Sequence, residues 1–97
     1  MKVTFAAAAR GDLRDIGFYI AHDNAPRSIT FVEELRDRCL ALSDRAERFP
    51  VATQLRGRPL HKLTHAGYLI FYTIEPSHVE VLRIVHGSRD WSQMFEI

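Results

Sequence analysis

The polar residues best suited to chemistry lie close together near the end of the chain: Arg83, His86, Arg89 and Asp90. Histidine can act as a general acid or base because its pKa is near neutral. Arginine binds phosphate or carboxylate groups through several N–H donors. Arg83 has apolar neighbours, so it requires a partner carboxylate or a wet cleft. Two interpretations therefore stay open for Arg83, which forms either a salt bridge or an anion contact. Two also stay open for His86, which either caps the end of a strand or transfers a proton.

A second candidate surface is the stretch from Val51 to Ile74, which contains no acidic residue. Its cations and histidines are Arg56, Arg58, Lys62, His61 and His65. Such residues either discourage aggregation of an edge strand or contact an acidic partner. The whole chain has 13 Lys and Arg against 12 Asp and Glu. This near balance argues against binding that depends mainly on phosphate neutralisation.

Metal, cofactor and cysteine chemistry are not indicated. The sequence has no glycine-rich phosphate loop, no HExxH and no Cys/His cluster, so we expect no cofactor. His61 and His65 have metal-ligand spacing only on a helix, whereas Pro59 and Gly67 favour a strand and a turn, so we expect no metal. The single cysteine, Cys39, excludes an intrachain disulfide and lies on an apolar helical stripe, which predicts a core residue.

The elements that must position these residues begin with a strand and two helices. Lys2–Ala6 alternates like a short strand. The spacing of Ala9, Leu13, Ile16 and Ile20 predicts a first amphipathic helix. A second helix is predicted from about Pro26 to Leu42, with Asp23 or Asn24 as its N-cap. Its predicted apolar stripe consists of Ile29, Val32, Leu35, Cys39 and Leu42, with Phe31 at the border. The short link between the helices favours an antiparallel hairpin.

The C-terminal half reads as strands. Ser43–Gln54 has no sustained period, and Leu60–Leu63 predicts a short edge strand. Tyr68–Ile74 and Val79–Val85 are strong strands, joined by a turn at residues 75–78. The predicted register pairs Ile74 with Val79, Tyr72 with Val81, and Ile70 with Arg83.

Both faces of this β-hairpin are apolar, so both require cover. One predicted face consists of Tyr68, Ile70, Tyr72, Ile74, Val79, Val81, Arg83 and Val85. The other consists of Leu69, Phe71, Leu82 and Ile84. The helices can cover one face. Either the tail Ser88–Ile97, which carries Trp91, Met94 and Phe95, or a partner protein covers the other.

The length of 97 residues predicts a single domain, residues 1–97. Apolar residues are 46% and charged residues 26%, typical of a globular protein. We see neither an apolar run long enough to span a bilayer nor the apolar core of a secretory signal. Together with the lone cysteine, this leads us to expect a cytoplasmic protein without membrane partners.

A series of short segments along the chain has the order and spacing of a known family. These segments are Asp12-Leu13, Tyr19-Ile20-Ala21, Asp23-Asn24-Ala25-Pro26, Phe31, Leu35, Cys39, Leu42, Phe49-Pro50, Tyr68-Leu69-Ile70-Phe71-Tyr72 and Val81-Leu82-Arg83-Ile84-Val85-His86-Gly87-Ser88-Arg89-Asp90. In this respect the chain resembles the RelE/ParE superfamily of type II toxin–antitoxin toxins. The resemblance implies an α+β fold: an N-terminal strand, an antiparallel two-helix hairpin packed on a small antiparallel sheet, and a short C-terminal tail or helix.

The resemblance also implies a partner. A cognate antitoxin would wrap its disordered tail around the toxin and fold on binding, and a higher-order toxin–antitoxin complex would form. We expect the antitoxin to contact Tyr68, Tyr72, Trp91 and Phe95.

Two activities are known in the superfamily. RelE-like members cut mRNA in the ribosomal A site, and ParE-like members inhibit DNA gyrase by protein–protein binding. The near-neutral charge and the His-Gly-x-Arg-Asp ending are more similar to the ParE branch, so gyrase is the expected target. The alternative is a ribosome-dependent mRNA endoribonuclease, whose candidate catalytic residues would be Arg83, His86 and Arg89. The expected contacts with the target are Arg56, Arg58, Lys62, Arg83, His86 and Arg89.

Overall fold

The computed structural model describes residues 1–95, in which helices pack on one face of a sheet. In chain order the elements are β1 (Lys2–Phe5), α1 (Ala7–Ala21), α2 (Ala25–Leu40), two 3-10 turns (Ala41–Ser43 and Ala46–Arg48), β2 (Val51–Leu55), β3 (Arg58–His65), β4 (Tyr68–Ile74), β5 (His78–His86) and a 3-10 turn (Ser92–Phe95). The end of the predicted tail, Glu96 and Ile97, lies outside the described residues. No helix within residues 1–95 is long and apolar enough to cross a membrane.

The first helix buries the predicted stripe. Ala9, Leu13 and Ile16 are buried, and Ile20 is partly buried against the same core. The second helix starts as predicted at Asn24, whose side-chain oxygen accepts a hydrogen bond from the backbone N–H of Arg27 at 3.0 Å. This bond satisfies one of the free N–H groups of the first turn.

The buried face of α2 is rotated from the predicted one. Its buried residues are Ser28, Phe31, Leu35 and Cys39. Phe31 is therefore a core residue, whereas Ile29 is 65% exposed, so the prediction was wrong at both positions. The reason is the close contact with α1, where the Ser28 hydroxyl donates to the carbonyl of Gly17 at 2.6 Å. A Cβ at Gly17 would lie only 3.3 Å from Val32, so this glycine lets the helices approach each other.

The fold is α+β, as predicted, with a five-stranded sheet in the order β1-β5-β4-β3-β2. The sheet is mixed, because β1 pairs in parallel with β5 while the other neighbours are antiparallel. The predicted edge strand at Leu60–Leu63 is in fact part of β3, an interior strand. The edge is β2, in a segment where we predicted no regular element. Its side chains are mostly exposed on both faces, so it carries no hydrophobic period to detect.

The β4–β5 register is as predicted next to the turn and shifted by one residue beyond it. Ile74 pairs with Val79 and Tyr72 with Val81. Between Phe71 and Tyr72 the register shifts, so that Ile70 pairs with Ile84 and not with Arg83. A β-bulge inserts one extra residue in one strand and reverses the facing of every residue that follows. The predicted faces are therefore wrong for Ile84, which packs on the helix side, and for Val85, which packs on the other side.

Apolar side chains cover the sheet on both faces. The larger core lies between the helices and the sheet and includes Leu35, Ile70, Tyr72 and Ile84. On the opposite, outer face a smaller cluster forms from Leu60, Leu69, Phe71 and Val85. Trp91, Met94 and Phe95 pack against that cluster, so the tail covers the outer face.

Candidate functional site

A group of polar residues lines a cavity between α1 and β5, with a volume of about 630 Å³. We call it the α1–β5 cavity. Its polar and aromatic lining residues include Asp12, Asp15, Tyr19, Tyr68, His86, Ser88 and Arg89. Helix α1 contributes one side and the end of β5 with the following loop contributes the other. The cavity thus brings together His86 and Arg89, two residues singled out in the sequence, with the candidate antitoxin contact Tyr68.

Of the two interpretations left open for Arg83, the structure shows the salt bridge, with Asp12 as the partner. Its Nε donates to Asp12 Oδ2 at 2.8 Å and its Nη2 to Asp12 Oδ1 at 2.9 Å, a two-point contact. The two side chains are 25% and 12% exposed. The hydrogen bond to Asp12 raises the pKa of Arg83, so the guanidinium stays charged. Two of its donors are therefore engaged by protein and unavailable to an incoming anion.

His86 is exposed at the end of β5 and is held through one ring nitrogen. Its Nδ1 lies 2.7 Å from the Ser88 hydroxyl and accepts the backbone N–H of Ser88 at 3.1 Å. Because Nδ1 accepts, the neutral ring carries its proton on Nε2. The ring meets Tyr68 edge-on at 5.3 Å. This arrangement orients His86 and leaves Nε2 as the nitrogen that can donate to a bound partner.

The phenols of Tyr19 and Tyr68 complete the aromatic part of the cavity. Tyr19 is 74% exposed. Tyr68 is partly buried, and burial raises the pKa of its phenol, with a smaller contribution from Tyr19. Exposed tyrosines offer a large contact area with a polar end, as is common in protein interfaces.

The basic stretch lies elsewhere. Arg56 occupies the turn between β2 and β3, and Arg58 approaches Glu75 at 3.5 Å. The Lys62 ammonium lies 5.9 Å from the centre of the Trp91 ring. These three residues are outside the lining of the α1–β5 cavity, so the predicted set of target contacts falls into two separate groups.

Tyr72 was expected to contact the antitoxin, and this expectation is wrong because the side chain is buried. It is 0% exposed, and its hydroxyl donates to the carbonyl of Ala46 at 2.6 Å. A completely buried side chain holds the core together and offers no surface to a partner. Trp91 and Phe95 lie 4.9 and 5.1 Å from the Phe71 ring, so they cover the outer face and are themselves only partly exposed.

Sequence reasoning missed a second concave surface, the α1–α2 groove, on the side of the helical hairpin away from the sheet. Its volume is about 670 Å³. The apolar lining includes Leu13, Gly17, Phe18, Ile29 and Val32, and the charged lining consists of Arg10, Arg14, Glu33 and Arg36. Phe18 and Ile29 are 64% and 65% exposed. The signal in the sequence was an apolar set too wide for one buried stripe, but Ile29 was assigned to the core.

No group of three or more histidine, cysteine or acidic residues that could hold a metal is found within residues 1–95.

Two solved structures of toxin–antitoxin systems share this fold. The chromosomal ParDE toxin–antitoxin system of P. aeruginosa matches with a TM-score of 0.74 and 16% identity, over 89% of this chain and 95% of that chain. The RelBE2 toxin–antitoxin complex of Mycobacterium tuberculosis matches with a TM-score of 0.61 and 22% identity, over 88% and 95%. No curated protein matches the chain significantly in sequence.

The sequence profile described as "ParE toxin of type II toxin-antitoxin system, parDE" matches residues 3–91. The chain therefore belongs to the ParE toxin family and is the toxin of a type II toxin–antitoxin system.

Proposed function

We propose that this toxin inhibits DNA gyrase by non-covalent binding and that a cognate antitoxin neutralises it. The choice of gyrase binding over RNA cleavage rests on one observation, the two-point contact of Arg83 with Asp12. RNA cleavage by 2′-OH attack needs cations free to meet the charge that develops on the phosphorus. Arg83, the least exposed of the three candidate catalytic residues, is already neutralised by a carboxylate. A protein-binding surface has no such requirement.

The surface proposed to meet the target is the α1–β5 cavity. Arg89 and His86 are exposed there, beside the phenol of Tyr19. Arginine and tyrosine at the centre of a contact contribute more binding free energy than most residue types. The small net charge of +1 is consistent with a protein partner, because ribosomal RNA would favour a strongly basic toxin.

The proposal is tested with purified toxin, gyrase and relaxed plasmid. We expect loss of negative supercoiling and accumulation of cleaved DNA. Arg89→Ala should raise the half-inhibitory concentration roughly tenfold or more, as expected for removal of a central arginine. The matched control is Arg48→Ala, an exposed arginine in a 3-10 turn outside the cavity, which should inhibit as the wild type does. Intact supercoiling at saturating wild-type toxin would exclude gyrase as the target.

The ribonuclease alternative is favoured by one observation: within residues 1–95 the hydrogen bonds of the His86 ring all involve Nδ1, so Nε2 is left for a substrate in the same cavity as Arg89. It is distinguished by induction of the toxin alone in cells with pulse labelling of DNA and protein synthesis. Early arrest of DNA synthesis supports gyrase. Arrest of protein synthesis within minutes, with codon-phased cuts in mRNA, supports the endoribonuclease.

For the antitoxin we propose the α1–α2 groove as a docking site. Three arginines and one glutamate line the groove together with the apolar residues, so its charged lining is net positive. An amphipathic helix fits such a groove with its apolar face inward, and acidic flanking residues would complement the arginines. The M. tuberculosis neighbour was itself solved as a toxin–antitoxin complex.

The test is co-purification with the product of the small open reading frame expected beside the toxin gene. Ile29→Glu places a carboxylate in the apolar groove and should abolish co-purification, because a charge would be buried at the interface. The control is Thr64→Glu, an exposed position on β3 outside the groove. Unchanged co-purification of the Ile29 variant would refute the groove as the antitoxin site.

A further inference from the structure

Strand β5 changes its edge partner halfway along its length. Residues 78–81 pair with β1, and the last bond of that edge runs from the Ala6 N–H to the carbonyl of Val81 at 2.9 Å. Beyond Val81 the edge faces α1, and the Asp12 carboxylate accepts the backbone N–H of Ile84 at 2.8 Å. A helix side chain thus takes the place of the missing strand, which satisfies a donor that would otherwise lack a partner.

The same carboxylate also binds the Arg83 guanidinium through both of its oxygens. The β-bulge lies at this place, between the pairs that involve Val81 and Arg83. Asp12 therefore accepts three hydrogen bonds from two consecutive residues of β5. Charge-assisted bonds to a two-point arginine have narrow geometry, so the contact defines both the distance and the angle between helix and strand.

From this contact the two sides of the α1–β5 cavity diverge. Along α1, Asp15 lies one helical turn beyond Asp12, and Tyr19 lies two turns beyond it. Two residues beyond Ile84, β5 ends at His86, and the loop carries Arg89. We propose that Asp12 is a positioning residue that sets the separation between Tyr19 and the His86–Arg89 segment. The inference rests on the proposed function in that this cavity is the surface that meets the target.

The chemistry makes aspartate specific here. Asparagine has the same shape and can still accept the N–H of Ile84 through its amide oxygen, but its NH2 group would face a donor of Arg83. Because the Ile84 N–H and Arg83 Nε share Oδ2, Asp12→Asn keeps both of these bonds but loses the Nη2 bond at Oδ1 and the negative charge that pairs with the guanidinium. Asp37→Asn is a matched control, since Asp37 is an exposed aspartate of α2 that lies outside the lining of both the α1–β5 cavity and the α1–α2 groove.

The experiment measures three properties of folded, purified variants: the midpoint of thermal unfolding, the NMR signals of the His86 ring, and the half-inhibitory concentration against gyrase. For Asp12→Asn we expect shifted His86 signals and a half-inhibitory concentration raised about tenfold, the loss expected for one charge-assisted hydrogen bond. Asp37→Asn should match the wild type in all three. Leu35→Val, a core substitution outside the cavity lining, should lower the midpoint but leave the His86 signals and the inhibition unchanged.

The positioning role is overturned if Asp12→Asn inhibits like the wild type with unshifted His86 signals. It is also overturned if Leu35→Val, at a comparable midpoint, loses as much inhibition, because stability alone would then explain the loss. If the wild type itself does not inhibit gyrase, the proposed target fails independently. Growth arrest on induction then replaces gyrase inhibition as the activity, and the same comparison among variants tests Asp12. Equal arrest by Asp12→Asn and the wild type would overturn the role there too.

Discussion

Leu35 is the residue whose burial links the two helices to the sheet. It is 0% exposed in the larger core, on the side of α2 that faces away from Ile29. The neighbouring Cys39 is equally buried and lies one turn further along. These residues have no part in either concave surface, so substitutions there report on folding alone.

Leu35→Ala should lower the free energy of unfolding by ~2–5 kcal/mol, from lost apolar burial and the cavity left behind. Ile29→Ala is the matched control, since this aliphatic residue of the same helix is mostly exposed and should cost much less. Urea unfolding followed by circular dichroism measures both. Equal losses for the two variants would mean that α2 buries a different face.

Burial of the thiol raises the pKa of Cys39 to about 12, from an ordinary value of 9.0. The folded state therefore binds the thiol proton more tightly than the unfolded state does. Its contribution to stability is complete below pH 9 and is lost as the pH rises towards 12. We expect Cys39 to resist a thiol reagent at pH 8 in the folded protein and to react readily in urea, because only the thiolate is nucleophilic. Rapid labelling without denaturant would contradict the burial.

At the scale of elements, two tight turns build the antiparallel part of the sheet. Arg56-Gly57 joins β2 to β3, and Ala66-Gly67 joins β3 to β4. All four residues have positive φ, between 49° and 84°. Two-residue hairpin loops with positive φ at both positions match the right-handed twist of the strands, and glycine adopts this conformation at no steric cost.

The second turn provides a paired prediction. Gly67→Ala should destabilise the protein by about 1 kcal/mol, because a Cβ is unfavourable at a φ of 84°. Ala66→Asn should stabilise it by a few tenths to about 1 kcal/mol, since asparagine tolerates the left-handed region better than alanine. Chemical denaturation compares the two variants with the wild type. A stabilising Gly67→Ala would show that this turn has a different conformation.

At the scale of the whole molecule, the sheet separates two apolar layers of unequal size. The helices cover one layer, and a short tail covers the other through the aromatic contacts of Trp91 and Phe95 with Phe71. A small protein has little chain available to cover a second face, so each of these aromatic side chains protects a large share of it.

A chain that ends after Asp90 should therefore expose the outer layer. We expect binding of a hydrophobic dye, concentration-dependent self-association and a lower melting midpoint, because exposed apolar patches promote association. Analytical ultracentrifugation and dye fluorescence test this, with a variant shortened only by Glu96 and Ile97 as the control. A monomeric truncated chain with an unchanged midpoint would show that the tail contributes no cover.

The order of elements could be predicted from the sequence alone because each depends on local spacing. Hydrophobic periodicity predicted the buried stripe of Ala9, Leu13 and Ile16. Capping preference predicted the cap at Asn24, and the turn residues predicted the pairing of Ile74 with Val79. These features depend on residues that are neighbours in sequence.

Only the tertiary structure decided the rest, because it depends on residues far apart in the chain. The bulge that redirects Ile84 and Val85 is inserted where β5 leaves β1 and meets Asp12, 72 residues away from Ile84. The same contact converted Arg83 from a candidate anion ligand into an internal ion pair. The exposure of Ile29 was set by the approach of α1 at Gly17. Local pattern determines which elements form, whereas packing between them determines which face and which partner each side chain has.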